Sequence, residues 1–406
     1  MHLQFNLEKF INQKVTGRSE SLLNPDLQKY YAQMQEHINN RSVLVIGGAG
    51  TIGASFIKAI LRFRIKKLVV VDINENGLTE LVRDLRSSDG YHIPEDFITY
   101  PVNFNDHVFE KLFRKLGPFD IVANFAAHKH VRSEKDIFSI EAMIENNLLR
   151  ARKLLDLLVE FPPEHFFCVS TDKAANPVNI MGASKKLMEE LIISYSSKIP
   201  IKTARFANVA FSNGSLPLGF LERVNKRQPW SCPLGIRRFF VSPQESGELC
   251  LIACVMGESG DIFFPKLDET KDMIPFDQIA LDLLNSLGLK ADICKTEEEA
   301  KKKALGLNDN STNYPIYFFG SNTSGEKSFE EFFTDEEQLD TESFINLGVI
   351  KNSKKRNVKE IDEIFNRLNK LFESDEFSKI DLVEILNEYL PNFHHIEKGK
   401  GLDTNM

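Results

Sequence analysis

The chain has 406 residues, of which 42% are hydrophobic and 27% charged, the proportions of a globular enzyme rather than a disordered or fibrous protein. A formal net charge of -8 excludes a general nucleic-acid binder, so an anionic ligand must find local cations or backbone N–H groups. The five cysteines, Cys168, Cys232, Cys250, Cys254 and Cys294, form no CxxC pair, which excludes a disulfide framework or zinc ribbon and points to reduced thiols in the cytoplasm.

Residues 1–40 read as a polar, partly helical extension. Its opening, MHLQFNLEKFINQK, lacks the apolar core and small-residue cleavage site of a signal peptide. No run of about 18 apolar residues follows, so neither a membrane span nor a membrane partner is expected.

The first strong strand is SVLVIGG (42–48). In VLVIGGAGTIGASFIKAIL it runs through Gly47, Gly48, Gly50 and Gly53 into a helix opened by Thr51 and Ile52, satisfying both GxGxxG and GxxGxxG spacing. Glycine lets the backbone approach a pyrophosphate closely, and a helix N-terminus offers free N–H groups and a favourable dipole. The second strand, KKLVVVD (66–72), ends on Asp72, within about 20 residues of the glycines, where a carboxylate accepts from adenosine ribose hydroxyls and disfavours a 2′-phosphate. NAD rather than NADP is the expected cofactor. The blander alternative is that the glycines only pack helix against strand while Asp72 caps a turn.

DFITYPV (96–102) is the third strand, and Asn103 after it is either an adenine contact or an ordinary turn residue. FDIVANFAA (119–127), which contains Ala126, and HFFCVST (165–171) follow, separated by the helical pattern SIEAMIENNLLRARKLLDLLVEF. Alternation of apolar runs and helices predicts an α/β, Rossmann-type doubly wound parallel sheet over 41–212. Ligands gather outside the carboxyl ends of such strands, which places Thr171, Asp172 and Lys173 beside a bound nicotinamide. Gly182 to Glu190 reads as a helix, with Met181 and Lys185 four residues apart at its start.

After IKTARFANVAF (201–211) the rhythm breaks. Residues 213–333 are expected to form a smaller substrate-binding region, with strands such as GDIFFP returning to the sheet. The segment 334–406, including EEFFTDEEQLDTESF and KKRNVKEIDEIFNRLNKLFES, reads as a charged helical tail, its charges lying on solvated faces or, alternatively, at an oligomer contact. His128 and His130 flank Lys129 without a third ligand, which excludes a zinc site. Lone Trp230 either covers a ligand or packs in a core.

GGAGTIG, FAAHKHV, STDKAANPVNIMGASK, ARFANVAFSNGS, RRFF and SGEKSFEEF, spanning Ser42 to Phe333, together resemble the nucleotide-sugar 4,6-dehydratases of bacterial polysaccharide biosynthesis, within the extended short-chain dehydrogenase/reductase superfamily. Most of that superfamily has Tyr at the position of Met181, four before Lys185; a subset of these dehydratases carries Met. The resemblance implies that hydride leaves sugar C4 for NAD, water is eliminated across C5 and C6, and hydride returns at C6. It implies Lys173 as the C5 base, Asp172 as the acid for the 6-hydroxyl, Lys185 on the nicotinamide ribose and Thr171 on the C4 oxygen. Methionine cannot take the proton that tyrosine takes, so a neighbour must. By the same resemblance Arg238 lies near the diphosphate and Asn208 contacts the substrate, the plainer alternatives being a solvated Arg and a turn Asn; Lys129, after the fourth strand, is expected to line the same cleft and Asn147 to steady the active-site helix. Two departures stand out: WSCPLGI replaces a stretch that usually carries an acid and Thr, and Thr323–Ser324 replace an Arg-Pro pair.

The expected function is therefore a cytoplasmic, homo-oligomeric NAD-dependent dehydratase acting on UDP-N-acetylglucosamine or a close UDP-N-acetylhexosamine, making a 4-keto-6-deoxy sugar for surface glycans. A 4-epimerase is the first rival, although epimerisation needs no acid for a 6-hydroxyl. A non-catalytic dinucleotide sensor is the second; loss of Tyr favours it, and Thr171, Asp172, Lys173 and Lys185 oppose it.

Overall fold

In the computed structural model, runs of β-branched and aromatic residues form the strands of the main sheet. The structure describes residues 5–127, 134, 136–320, 331–353, 355–374 and 376–395; His128, Lys129, His130, Thr323 and Ser324 lie outside the described residues. Two helices, α1 (Leu7–Phe10) and α2 (Asn24–Ile38), precede the sheet. Strands β1 (Ser42–Ile46), β2 (Lys67–Val71), β3 (Asp96–Tyr100), β4 (Ile121–Asn124), β5 (His165–Val169) and β6 (Ile201–Ala204) then pair in parallel in the order β3-β2-β1-β4-β5-β6. The strand order reverses between β1 and β4, which opens a crevice at their carboxyl ends. Register keeps that rim level: Ile46 pairs with both Val71 and Asn124, and Asn124 with Cys168.

The crossovers are helical: α3 (Thr51–Ile60), α4 (Glu75–Ser87), α5 (His107–Leu116), α6 (Ile137–Ile144), α7 (Arg150–Glu160) and α8 (Ile180–Ser194). A π-turn over Glu145–Leu149 joins α6 to α7. Helix α8 starts where Asn179 accepts the N–H of Gly182. Almost every residue of β1, β2, β4 and β5 is buried, as helices on both faces require.

Beyond β6 come β7 (Asn208–Val209), α9 (Leu216–Asn225), β8 (Trp230–Pro233), β9 (Arg237–Val241) and α10 (Pro243–Met256). Next are β10 (Ile262–Pro265), β11 (Met273–Pro275), α11 (Phe276–Ser286), β12 (Lys290–Cys294), α12 (Glu297–Ala304) and β13 (Asn313–Phe319). Two three-stranded sheets result, β11-β9-β7 and β12-β13-β8, while β10 leaves them to pair in parallel with β6. A separate apolar core gathers Phe220, Trp230, Tyr314 and the face of α11. Trp230 stacks on Phe220 with ring centroids 4.5 Å apart and has no exposed surface, so of its two prospects the core is the one realised.

Residues 331–353 depart from the helical expectation. They form β14 (Gln338–Asp340) and β15 (Leu347–Lys351), an antiparallel pair that completes a nine-stranded sheet in the order β14-β15-β10-β6-β5-β4-β1-β2-β3. The reason is burial: Leu347, Val349 and Ile350 have essentially no exposed surface against β10, and Glu337 is drawn inward by Arg205. Helices α13 (Val358–Phe372) and α14 (Lys379–Tyr389) then follow. The N-terminal segment also packs against later parts of the chain. Phe10 packs edge-on against Phe211, and Arg18 makes a two-pronged bond to Glu245 at 2.8 and 2.9 Å.

Candidate active site

The glycine turn is shaped by contacts that exclude any side chain. Gly47 has φ +77°, and a Cβ there would lie 2.6 Å from the Ala126 nitrogen. A Cβ on Gly53 would lie 2.3 Å from the Gly47 carbonyl oxygen. The turn delivers the chain into α3, whose N-terminus borders a cavity of about 480 Å³. Gly47, Gly50, Thr51, Ile52, Gly53, Asp72, Asn103 and Ala126 all line it. Asp72 accepts from the N–H groups of Ala49 and Asn74, both at 2.9 Å, which ties the end of β2 to the glycine turn. Asn103 accepts the N–H of Asn105 at 3.0 Å and faces the cavity as well. Asn146 and Arg150, which the sequence did not single out, close another side.

A second cavity of about 270 Å³ adjoins the first, sharing Ile52, Phe125, Ala127, Asn213 and Gly214. Thr171, Asp172, Lys173, Met181, Lys185 and Asn208 line this second space. Asp172 is buried, and its Oδ1 accepts from Thr171 Oγ1 at 2.8 Å, from the Lys173 backbone N–H at 2.9 Å and from Lys173 Nζ at 3.0 Å. Lys185 is 2% exposed; its ammonium donates to the Val169 carbonyl at 3.4 Å. Burial holds its pKa below the usual lysine value, against smaller opposing pulls from Cys168 and Glu189. The Met181 side chain is 1% exposed and presents only a thioether, while its backbone N–H donates to Glu134 at 2.9 Å. Asn147 donates to Ser184 Oγ at 3.0 Å, bracing α8 against the helix before it.

One expected residue, Lys129, lies outside the described residues, and another stands apart from this constellation. Arg238 is buried on β9, donates to the Arg237 carbonyl at 2.8 Å and lines neither cavity. Conversely, Phe206, Phe240 and Phe276 wall the second cavity, and the Asn213 N–H donates to Thr51 Oγ1 at 2.9 Å across 162 residues of sequence. In sequence that joint is marked by the Asn-Gly-Ser end of ARFANVAFSNGS. What it would face was not legible.

The family described as "Polysaccharide biosynthesis protein" matches residues 43–352. A Methanocaldococcus jannaschii protein named as an uncharacterized membrane protein is 29% identical over 79% of this chain and 88% of its own length. Among the described residues here, no helix is long and apolar enough to cross a membrane. A UDP-N-acetylglucosamine 4,6-dehydratase (inverting) of Campylobacter jejuni is 25% identical, over 57% of this chain and 69% of the relative. A UDP-glucose 4-epimerase of Rickettsia typhi is 28% identical, over 56% and 66%. Polysaccharide biosynthesis proteins of Bacillus subtilis (probable) and Staphylococcus aureus, 28% and 27% identical over 59% and 64% of this chain, are matched over only 40% and 42% of their own lengths. Among solved structures, Pen from Bacillus thuringiensis superposes with a TM-score of 0.63 at 21% identity, over 87% of this chain and 98% of Pen. A dTDP-glucose 4,6-dehydratase from Streptomyces venezuelae, crystallised with NAD, gives 0.54 at 18% identity over 71% and 87%. The likenesses to these solved structures show a Rossmann-type fold.

Proposed function

Because the chain belongs to the polysaccharide biosynthesis protein family, we propose that it is a cytoplasmic NAD-dependent nucleotide-sugar 4,6-dehydratase, acting on UDP-N-acetylglucosamine or a close UDP-N-acetylhexosamine. The observation that carries this reading is the Asp172–Lys173 contact of 3.0 Å in the same cleft as the buried Lys185. Removing water next to a ketone takes a base for the C5 proton and an acid for the departing 6-hydroxyl, and an amine beside a carboxyl supplies both.

The residues present fit the cofactor: the turn at Gly47 and Gly53 has no room for a Cβ, which leaves backbone N–H groups at the start of α3 to take a pyrophosphate. Gly47, Gly50, Thr51, Ile52 and Gly53 would hold that pyrophosphate, Asp72 the adenosine ribose, Asn103 and Ala126 the flanking walls, and Lys185 the nicotinamide ribose. When bound, NAD accepts a hydride from sugar C4 and returns it at C6. The C4 hydroxyl proton, which Met181 cannot take, passes through Thr171 Oγ1 to the Asp172 carboxylate, the two being 2.8 Å apart. Lys173, as the neutral amine, takes the C5 proton, Asp172 gives the proton it has received to the C6 oxygen, and the C6–O bond breaks to release water; Lys173 returns its proton to C5 as hydride is restored at C6. Asn208, on the wall of the second cavity, contacts the sugar, and Lys129, in the segment after β4, would line the same cleft.

The Rickettsia relative favours a second reading, a 4-epimerase, which would use the same oxidation at C4. The two part at one experiment: incubation of the purified protein with a panel of UDP- and other nucleotide-sugars, read by mass for water loss and by proton NMR for the configuration at C4. Loss of one water supports the dehydratase, and an isomer of unchanged mass the epimerase. No change in any sugar, with NAD bound, would make the protein a dinucleotide sensor.

A further inference from the structure

Immediately before Thr171, Ser170 donates its hydroxyl to Glu189 Oε1 at 2.6 Å. Glu189 is 1% exposed on α8, four residues beyond Lys185, and both its oxygens face Arg205 at 2.8 Å. Arg205 has no exposed surface. Its remaining N–H groups go to the two oxygens of Glu337 at 2.8 Å each and to the Phe332 carbonyl at 3.0 Å, so all five guanidinium donors are used. Lys186 completes a balanced set of two acids and two cations, 3.8 Å from Glu189 and 3.7 Å from Glu337.

A buried ion-paired cluster is commonly no more stabilising than apolar packing of the same volume, so its presence asks for another explanation. The geometry supplies one. Asp172 and Lys173 ride on the end of β5, whereas Lys185 rides on α8. Acting on one sugar requires those two elements to keep a fixed offset. Ser170 to Glu189 is a direct side-chain tie between them, and the Arg205 fork pins the helix side of that tie to the segments after β6 and before β14.

We propose that Glu189 is a positioning residue for the reaction: through Ser170 it fixes the Thr171–Asp172–Lys173 strand end against the helix bearing Lys185, with Arg205 and Glu337 holding Glu189 in place. The proposal rests on the dehydratase reading for its kinetic arm only. Misplacing reacting groups by about 1 Å costs up to about 100-fold in rate. Ser170→Ala, which removes one hydroxyl, should therefore lower kcat about 10- to 100-fold while KM and the dissociation constant for NAD stay within about twofold of wild type. Ser170→Thr, which returns the hydroxyl, should recover most of the loss. A substrate-free arm follows the acetylation of Lys173 against pH by mass spectrometry, and its midpoint should move in Ser170→Ala and return in Ser170→Thr. Glu189→Gln, which keeps the side-chain shape, should reproduce the Ser170→Ala shift.

An unaltered kcat together with an unaltered labelling midpoint in Ser170→Ala overturns the proposal. Equal losses in the Ala and Thr variants overturn it too, because Ser170 would then act only by packing. If the wild-type protein converts no nucleotide-sugar, it is the dehydratase reading that has failed, and the labelling arm alone decides the positioning role.

Discussion

Thr171 and Lys173 both direct hydrogen bonds to one oxygen of Asp172, Oδ1, so on the proposed dehydratase reading a proton for the leaving hydroxyl would be carried on Oδ2. That division of labour makes Lys173 separable from Asp172 by mutation. Lys173→Met should reduce water loss by about 10²- to 10⁴-fold, the usual span for a missing general base. Solvent deuterium should then fail to enter C5 while reduced cofactor and bound 4-keto sugar build up. Dehydration at the wild-type rate would remove Lys173 from the base role. In the cofactor cradle, Gly53→Ala drives a methyl to 2.3 Å from the Gly47 oxygen and 2.9 Å from Gly48 Cα. The turn must open, with an expected cost of about 1–3 kcal/mol in urea unfolding and loss of cofactor from the purified protein. Away from the site, His165 lies 3.0 Å from Lys202 Nζ and 3.3 Å from His37. Burial, and then the Lys202 charge, lower its pKa from 6.5 to about 3. Between those values the unfolded chain binds a proton that the folded chain refuses. Stability should thus fall as pH drops from 6.5 towards 3, by at most about 1.4 kcal/mol per pH unit from this group. Denaturant titrations of His165→Gln should show a shallower slope across that window.

The secondary elements differ in how far local sequence announces them. SVLVI, KLVVV and HFFCV are continuous apolar runs bounded by turns or helices, and each became a strand of the parallel sheet with shifts of one or two residues at its ends. Asn179 before the Met181–Lys185 helix is equally local, a side chain capping the N–H three residues on. The segments that local pattern misses are those whose partners are remote. Arg18 finds Glu245 across 227 residues, and Arg205 finds Glu337 across 132, so charge that reads as solvated is in fact spent inside. The same holds for α13 and α14. Ile361, Ile364, Phe365 and Leu368 of α13 are buried, as are Leu382, Ile385 and Leu386 of α14, in the core that contains α7 and α8. Arg152 of α7 bonds Asp362 at 2.9 Å and lies over the Phe365 ring, and Arg356 bonds Glu190 of α8. The chain thereby covers its own helix faces. Removing residues 357–406 should bare that apolar surface, and light scattering should report new association or aggregation relative to the full chain. An unchanged mass and solubility would show that the α13–α14 layer is not what keeps copies apart there.

At the scale of the whole molecule, the two cavities share five wall residues, so on the proposed reading cofactor and substrate would be neighbours in one cleft rather than tenants of separate sites. A redox group used and restored in place gains nothing by leaving, and NAD is expected to copurify; acid-released nucleotide that is only NADP would contradict the role given to Asp72. The sheet order carries a consequence of a different kind, for synthesis on the ribosome. Strand β6 gains its outer neighbour only when β10 appears about sixty residues later, and β10 waits about eighty more for β15, at a translation rate of roughly 5–20 residues per second. Through those seconds the free edge of Ile201–Ala204 presents unpaired N–H and C=O groups to whatever strand is nearest, which on a crowded polysome is the same segment of the adjacent nascent chain. The yield of native protein should therefore depend on the spacing of ribosomes on the message, falling as initiation is made more frequent, although the finished molecule has no such edge left at β6.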